Sequence, residues 1–172
     1  MLPNECIRGI FEILSQFISA VTFEIYNRVA AIETAIDNLN NELSLLVPRI
    51  TALEIEVDVQ TRDFSQQRTN IERETDILFE EIAHIQDLYA FGTISRPELE
   101  EFVRGKMVEL NSIRERKERL MEGVAALDAK SKLVINEYKD VSKRVRVENA
   151  KLAELRSFLL VVNELRHGPI DS

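Results

Sequence analysis

The stretch Ala90-Phe91-Gly92-Thr93-Ile94-Ser95-Arg96-Pro97-Glu98-Leu99 decides the fold. Gly92 can take the left-handed backbone conformation that closes a helix. Ser95 followed three residues later by Glu98 is a capping box that opens the next helix, and Pro97 fits a first turn where its missing N–H is not needed. Ile94 and Leu99 are spaced as a hydrophobic staple across that cap. A stop and a start this close together predict two helices folded back on one another.

Heptads run outward from this turn in both directions. In the first arm Val29, Ile36, Leu43, Ile50, Val57, Phe64, Ile71, Leu78 and Ile85 recur every seven residues. Phe11, Ile18, Ile25, Ile32, Leu39, Leu46 and Leu53 interleave with them at the three-and-four spacing of a coiled-coil seam. This second series turns polar at Gln60, Gln67, Glu74 and Glu81. In the other arm Val103, Leu110, Val124, Tyr138, Val145, Leu152 and Leu159 alternate with Leu99, Ile113, Leu120, Leu127, Val134, Val141, Leu155 and Val162, with polar interruptions at Lys106, Lys117, Ser131 and Glu148. The expected fold is all-α, a long antiparallel coiled-coil hairpin: arms at residues 4–91 and 96–167, a turn at 92–95 and a tail at 168–172. Pro3 precedes the first arm and Gly168-Pro169 follows the second as a helix stop. Pro48 removes one backbone hydrogen bond in mid-helix, so a kink or break is expected there, on the side opposite the seam. Folding about Gly92 pairs residue n with roughly 185 − n, which sets Phe64 near Met121 and Glu81 level with Arg104.

Composition agrees with a narrow helical seam. Of 172 residues, 5 are Gly and 4 Pro, Trp is absent and aromatic residues reach only 6%. The net charge of −8 is uneven: residues 1–92 hold 16 acidic and 6 basic side chains, residues 93–172 hold 14 and 16. An acidic arm beside a slightly basic one favours pairing between the arms, and argues against nucleic acid, which needs a strongly cationic face. Cys6 is the only cysteine, so neither an internal disulfide nor a cysteine-based zinc site can form. The first thirty residues lack the charge pattern and cleavage site of a secretory signal, and Ile13–Phe23, the longest uncharged stretch there, falls short of a bilayer span. These features lead us to expect a soluble, cytoplasmic protein without a cofactor.

Little in the chain could carry catalysis. Two histidines and one cysteine leave almost no material for a nucleophilic triad, and the isolated glycines form no phosphate loop. Both histidines stand in Glu-x-x-His spacing, Glu81/His84 and Glu164/His167, which in a four-helix bundle is half of a di-iron site. No third turn is evident, so exposed helix-terminal histidines are the expectation and no enzyme activity is expected. The basic clusters Arg114, Arg116, Lys117, Arg119 and Lys139, Lys143, Arg144, Arg146, Lys151 are interleaved with acids and are expected to face solvent or the acidic arm.

The open end of the hairpin carries the functional expectation. Apolar residues there cover more of the helix circumference than one seam can hide, and uncovered apolar surface marks association sites. Ile10, Phe11, Leu14, Phe17, Ile18, Val21, Ile25, Phe158, Leu159 and Val162 are the expected partner surface. The expected function is a structural or adaptor protein that forms a homodimer or joins other helical subunits. Two alternatives share the architecture: a membrane-remodelling hairpin of the ESCRT-III or BAR kind, which the acidic first arm disfavours, and a prefoldin-like holdase. Prefoldin subunits join their helices through β-hairpins, for which a turn this tight leaves no room.

Overall fold

The structure, a computed structural model, describes residues 4–167. Pro3, the Gly168-Pro169 stop and the tail lie outside the described residues, as does the His167 side chain. Two helices account for nearly all of the rest: α1, Asn4–Ala90, and α2, Arg96–His167. There is no strand among the described residues.

The turn is built as its sequence requires. The Thr93 N–H donates to the Leu88 carbonyl at 2.8 Å and the Gly92 N–H to the Tyr89 carbonyl at 3.0 Å. These are the two bonds of a Schellman motif, which satisfies the last carbonyls of α1. The motif needs a left-handed residue after the last turn, and Gly92 supplies it with φ +72°. On the far side the Ser95 N–H and hydroxyl both donate to Glu98 Oε2, each at 2.7 Å. The Leu99 N–H donates to the Ser95 carbonyl at 3.1 Å, the first bond of α2. Those two Ser95 contacts, the backbone one foremost, hold the Glu98 carboxyl below the usual carboxylate range.

α1 continues as helix through Pro48, which is exposed. The molecule divides into two compact units just beyond this residue: a terminal unit, Met1–Pro48 with Ile135–Ser172, and a turn unit, Arg49–Val134. Within the terminal unit the seam is apolar. Ile25, Leu159 and Val162 form one buried cluster with Ile18, Val21, Val29 and Leu155 packed against it. Leu39, Leu46 and Val141 form a second, with Leu43 and Val145 alongside. Thr22, the one buried polar residue of this seam, back-bonds its hydroxyl to the Ile18 carbonyl at 2.7 Å. Ion pairs flank the seam, Glu33–Arg156 at 2.8 Å and Glu42–Arg144 at 3.6 Å.

In the turn unit Ile71, Leu78 and Ile113 make the core, with Ile82, Leu110 and Leu120 partly buried against it. Where the α1 heptads become polar, charges cross the seam. Arg116 meets Glu74 through both terminal nitrogens. Lys106 meets Glu81 at 2.5 Å and Glu109 at 3.1 Å, its side chain only 16% exposed. Lys130 meets Glu56 at 2.6 Å. Glu81 therefore pairs with Lys106 and not with Arg104: the register runs slightly ahead of 185 − n because the turn residues, Phe91 to Ser95, are centred just past Gly92. Gln60 and Gln67 bond to Glu56 and Asp63 on their own helix.

Candidate interaction surface

The sequence-expected partner residues separate into two sets. Ile25, Leu159 and Val162 are buried in the seam, and Ile18 and Val21 pack against them. Ile10, Phe11, Leu14, Phe17 and Phe158 are exposed, Phe11 by 68%, Phe17 by 65% and Phe158 by 52%. Phe11 is thus no seam residue, although it continues the heptad series. With Ile25 against Leu159 and Val162, the residues ahead of Ile18 reach past the last described turn of α2, and nothing on α2 stands opposite them. Ile7, Ile13, Phe23 and Tyr26 on α1, and Leu160, Val161 and Leu165 on α2, add to the exposed apolar surface of the same unit.

The amount of uncovered surface exceeds what a globular chain of this size leaves. The accessible area is 13532 Å², against about 8,600 Å² for a globular monomer of this mass on the usual size scaling. Two helices in contact hide one stripe each, and among the described residues no side chain is completely buried. α1 also contains, near its N-terminus, an 18-residue window with the hydropathy and low charge of a membrane span. Counting only uncharged residues conceals this window, because Arg8 and Glu12 interrupt a run that is otherwise uncharged.

The turn unit has a smaller apolar opening. Val124, a seam residue by its heptad, is 47% exposed and lies with Met121 and Phe64 along a groove of about 610 Å³. Gly123 admits the Phe64 ring against the α2 backbone: a Cβ there would sit 3.2 Å from the ring. The ring lies across Gly123 and leaves the following residue uncovered. In the terminal unit Tyr138, also assigned to the seam by its heptad, is exposed as well.

Part of each basic cluster is engaged with acids. Arg116 and Arg144 pair across the helices, while Arg114, Arg119 and Lys151 pair along α2 with Glu118, Glu115 and Glu148. The Arg116 contact draws the Glu74 carboxyl below its ordinary range, and the Glu81 contact raises the Lys106 ammonium.

The remote di-iron candidates are Glu81, His84, Glu164 and His167, the last with its side chain outside the described residues. Among the described residues no group of three or more His, Cys, Asp or Glu side chains could hold a metal ion. Glu81 is held by Lys106. His84, three residues on, is exposed and lies inside α1, six residues short of Ala90 and so not at the helix terminus where it was expected. The pair Glu81/His84 belongs to the turn unit, whereas Glu164 is an exposed residue of the terminal unit. The physical reason is the helix count: a di-iron site draws ligands from four facing helices, and α1 runs through without the extra turns that would supply them.

Compared with known proteins, the chain matches no family model, no curated sequence and no solved structure.

Proposed function

We propose that this protein is a non-enzymatic helical-hairpin subunit, a spacer or adaptor that assembles with other helical chains through the open end of its terminal unit. The observation that carries this reading is the apolar surface left uncovered around Phe11, Phe17 and Phe158. Contiguous exposed apolar patches are characteristic of association sites. The cross-helix ion pairs of the turn unit support the same reading, since they let its two helices recognise each other. The test is the mass in solution of the intact chain by light scattering across a dilution series. Self-association, or a stable complex with a second helical chain on co-purification, supports the reading; a monomer that captures no helical partner overturns it.

A second reading rests on the membrane-like window near the N-terminus of α1. In it the same surface enters the apolar layer of a bilayer. Residues 4–26 carry Glu5, Glu12 and Glu24 against Arg8 alone, so attraction to anionic headgroups would not assist. Flotation with neutral and anionic vesicles separates the two readings.

A further inference from the structure

With Ile25 packed against Leu159 and Val162, α2 ends level with roughly residues 17–20 of α1. The residues ahead of that level form an overhang, and over its length the helix sorts its side chains. On a helix of about 3.6 residues per turn, Ile7, Ile10, Phe11, Ile13, Leu14 and Phe17 fall within one arc of about 160°. Glu5, Arg8, Glu12, Ser15, Gln16 and Ser19 all fall on the other side. The sorting fails at Phe23 and Glu24, each on the wrong side, where α2 already runs alongside. The heptad phase changes as well: carried back, the series of Val29 meets Thr22, Ser15 and Arg8. The overhang is therefore an amphipathic helix in its own right, with an apolar face wider than the seam and turned away from it.

We propose, resting on the second reading above, that this overhang lies in the plane of a neutral bilayer with its apolar arc immersed. All six apolar side chains are exposed. A helix packed on one neighbour needs a stripe of about 100°, so a single further helix would leave part of this arc wet. A bilayer surface covers half the circumference at once. Half of a helix ~10–12 Å across is about 5–6 Å, within the ~5–10 Å depth of interfacial helices. The membrane-like window near the N-terminus of α1 has the hydropathy of a span. Spanning, however, would carry Arg8, Glu12, Ser15 and Gln16 through hydrocarbon, whereas lying in the plane leaves them in water. Charge sets the kind of bilayer. Glu5 and Glu12 against Arg8 offer anionic headgroups no net attraction, so insertion depends on apolar area and on gaps between headgroups wide enough for Phe11 and Phe17. Phe158, Val161 and Leu165 stand level with Glu24 and Arg28, inward of the overhang, and remain open to a helical chain. A helical chain that covered the overhang itself would compete with lipid for it.

The test is flotation of the full chain with phosphatidylcholine vesicles, small sonicated ones against large extruded ones. Wild type should float with this neutral lipid, and better with the small vesicles, whose curvature opens the headgroup layer. Ile13→Glu with Phe17→Glu charges the apolar arc, and Ser15→Glu with Ser19→Glu adds the same charge to the polar one. All four residues are exposed, so helix content by circular dichroism should match wild type in both. The first variant should partition at least about a hundredfold more weakly, and the second as wild type does. Equal loss in both variants, or flotation with anionic vesicles alone, overturns insertion by the apolar arc while the bilayer reading stands. No flotation with any vesicle overturns both and leaves assembly with helical chains untouched. Two probes report orientation. A fluorophore on Cys6, which is exposed and falls within the apolar arc, should be shielded from an aqueous quencher on binding. One on Ser15→Cys, in a Cys6→Ser background, should stay open to the quencher. Shielding of both overturns the in-plane helix in favour of a span.

Discussion

Residues 25, 32, 39, 46 and 53 of α1 belong to the same heptad series as residues 60, 67, 74 and 81, but the two runs hold their helices together differently. In the terminal unit the series is aliphatic, and Ile25, Leu39 and Leu46 sit in buried clusters. In the turn unit it is polar beyond Leu53, and Glu74 and Glu81 reach across to Arg116 and Lys106. An apolar seam discriminates less between partners and registers, since apolar stripes cover one another with little directional preference. A seam crossed by charges at set heights specifies both, at some cost in desolvation. One region can thus fix the hairpin while the other keeps apolar surface for something else. The Schellman turn and capping box lie in the region that specifies.

The sharpest way to break this comparison is to remove one buried side chain from the turn unit and one exposed side chain from the open end. Leu78 is 2% exposed, and Leu78→Ala should cost about 2–5 kcal/mol in chemical denaturation. Its effect on self-association at low denaturant should be slight. Phe17→Ala should do the reverse: the stability of the dissociated chain should stay within about 0.5 kcal/mol of wild type, while the assembled mass falls. If Phe17→Ala destabilises the monomer as much as Leu78→Ala does, the open end is a core and not a surface.

Backbone substitutions within the turn unit follow in size. Gly92→Ala places a Cβ in the left-handed conformation and should cost about 1–2 kcal/mol. Gly105 has nothing within 4 Å of the position a Cβ would take. Gly105→Ala should therefore stabilise α2 by up to about 1 kcal/mol. Gly123→Ala has the same helical gain, but it must displace the Phe64 ring by a few tenths of an ångström. The ring borders an open groove and can move, so the expected gain is positive and smaller than at Gly105. Thermal midpoints of the three variants test the ranking; a destabilised Gly123→Ala would mean that the ring is fixed.

The fold was legible because its signals are local. Gly92, Ser95, Pro97 and Glu98 each satisfy a requirement of helix ends that no distant contact can override, and the seven-residue period carries the phase along both arms. The interaction surface was legible only as a surplus. Hydrophobicity alone could not divide Ile25, Leu159 and Val162, which close the seam, from Phe17 and Phe158, which stand beside it. That division depends on register, and register depends on where the helices fold back. One signal was available in the sequence: Phe17, Phe158 and Val161 each precede a seam residue, which puts them on a common side of an antiparallel pair. Val124 and Tyr138 were misread for a different reason. Heptad position says which way a residue faces, but not whether its opposite number fills the space, and at Val124 the Phe64 ring turns aside over Gly123. The Glu-x-x-His spacing at Glu81 and His84 is limited in the same way: it puts two side chains on one helix face and says nothing of further ligands meeting them there.

The smallest expected effect concerns pH and bears on the charged seam alone. Glu74 and Glu98 are both held below the usual carboxylate range, the first chiefly by its hydrogen bond to Arg116 and the second by those to Ser95. A carboxyl whose pKa is lower folded than unfolded contributes stability that is present above the unfolded value and lost as pH falls through the folded one. Lys106, raised chiefly by its hydrogen bond to Glu81, has the opposite sign: its contribution is present below the ordinary lysine range and lost as pH rises through the raised value. Glu74 and Glu98 are solvent-accessible and Lys106 is partly so, so each effect should be modest. Acidification also protonates every other carboxylate of a chain with 30 acidic residues, and wild type alone cannot isolate the two. The double variant Glu74→Gln with Glu98→Gln can. It should be less stable than wild type at neutral pH, and the difference should shrink as pH is lowered through the carboxylate range, because wild type then loses what the variant never had. Amide exchange should place the neutral-pH loss in residues 74–116 and leave the apolar seam around Leu39, Leu46 and Val141 protected. A difference that persists undiminished in acid would mean that the two carboxylates act through packing, and the distinction between a charged and an apolar seam would lose its energetic basis.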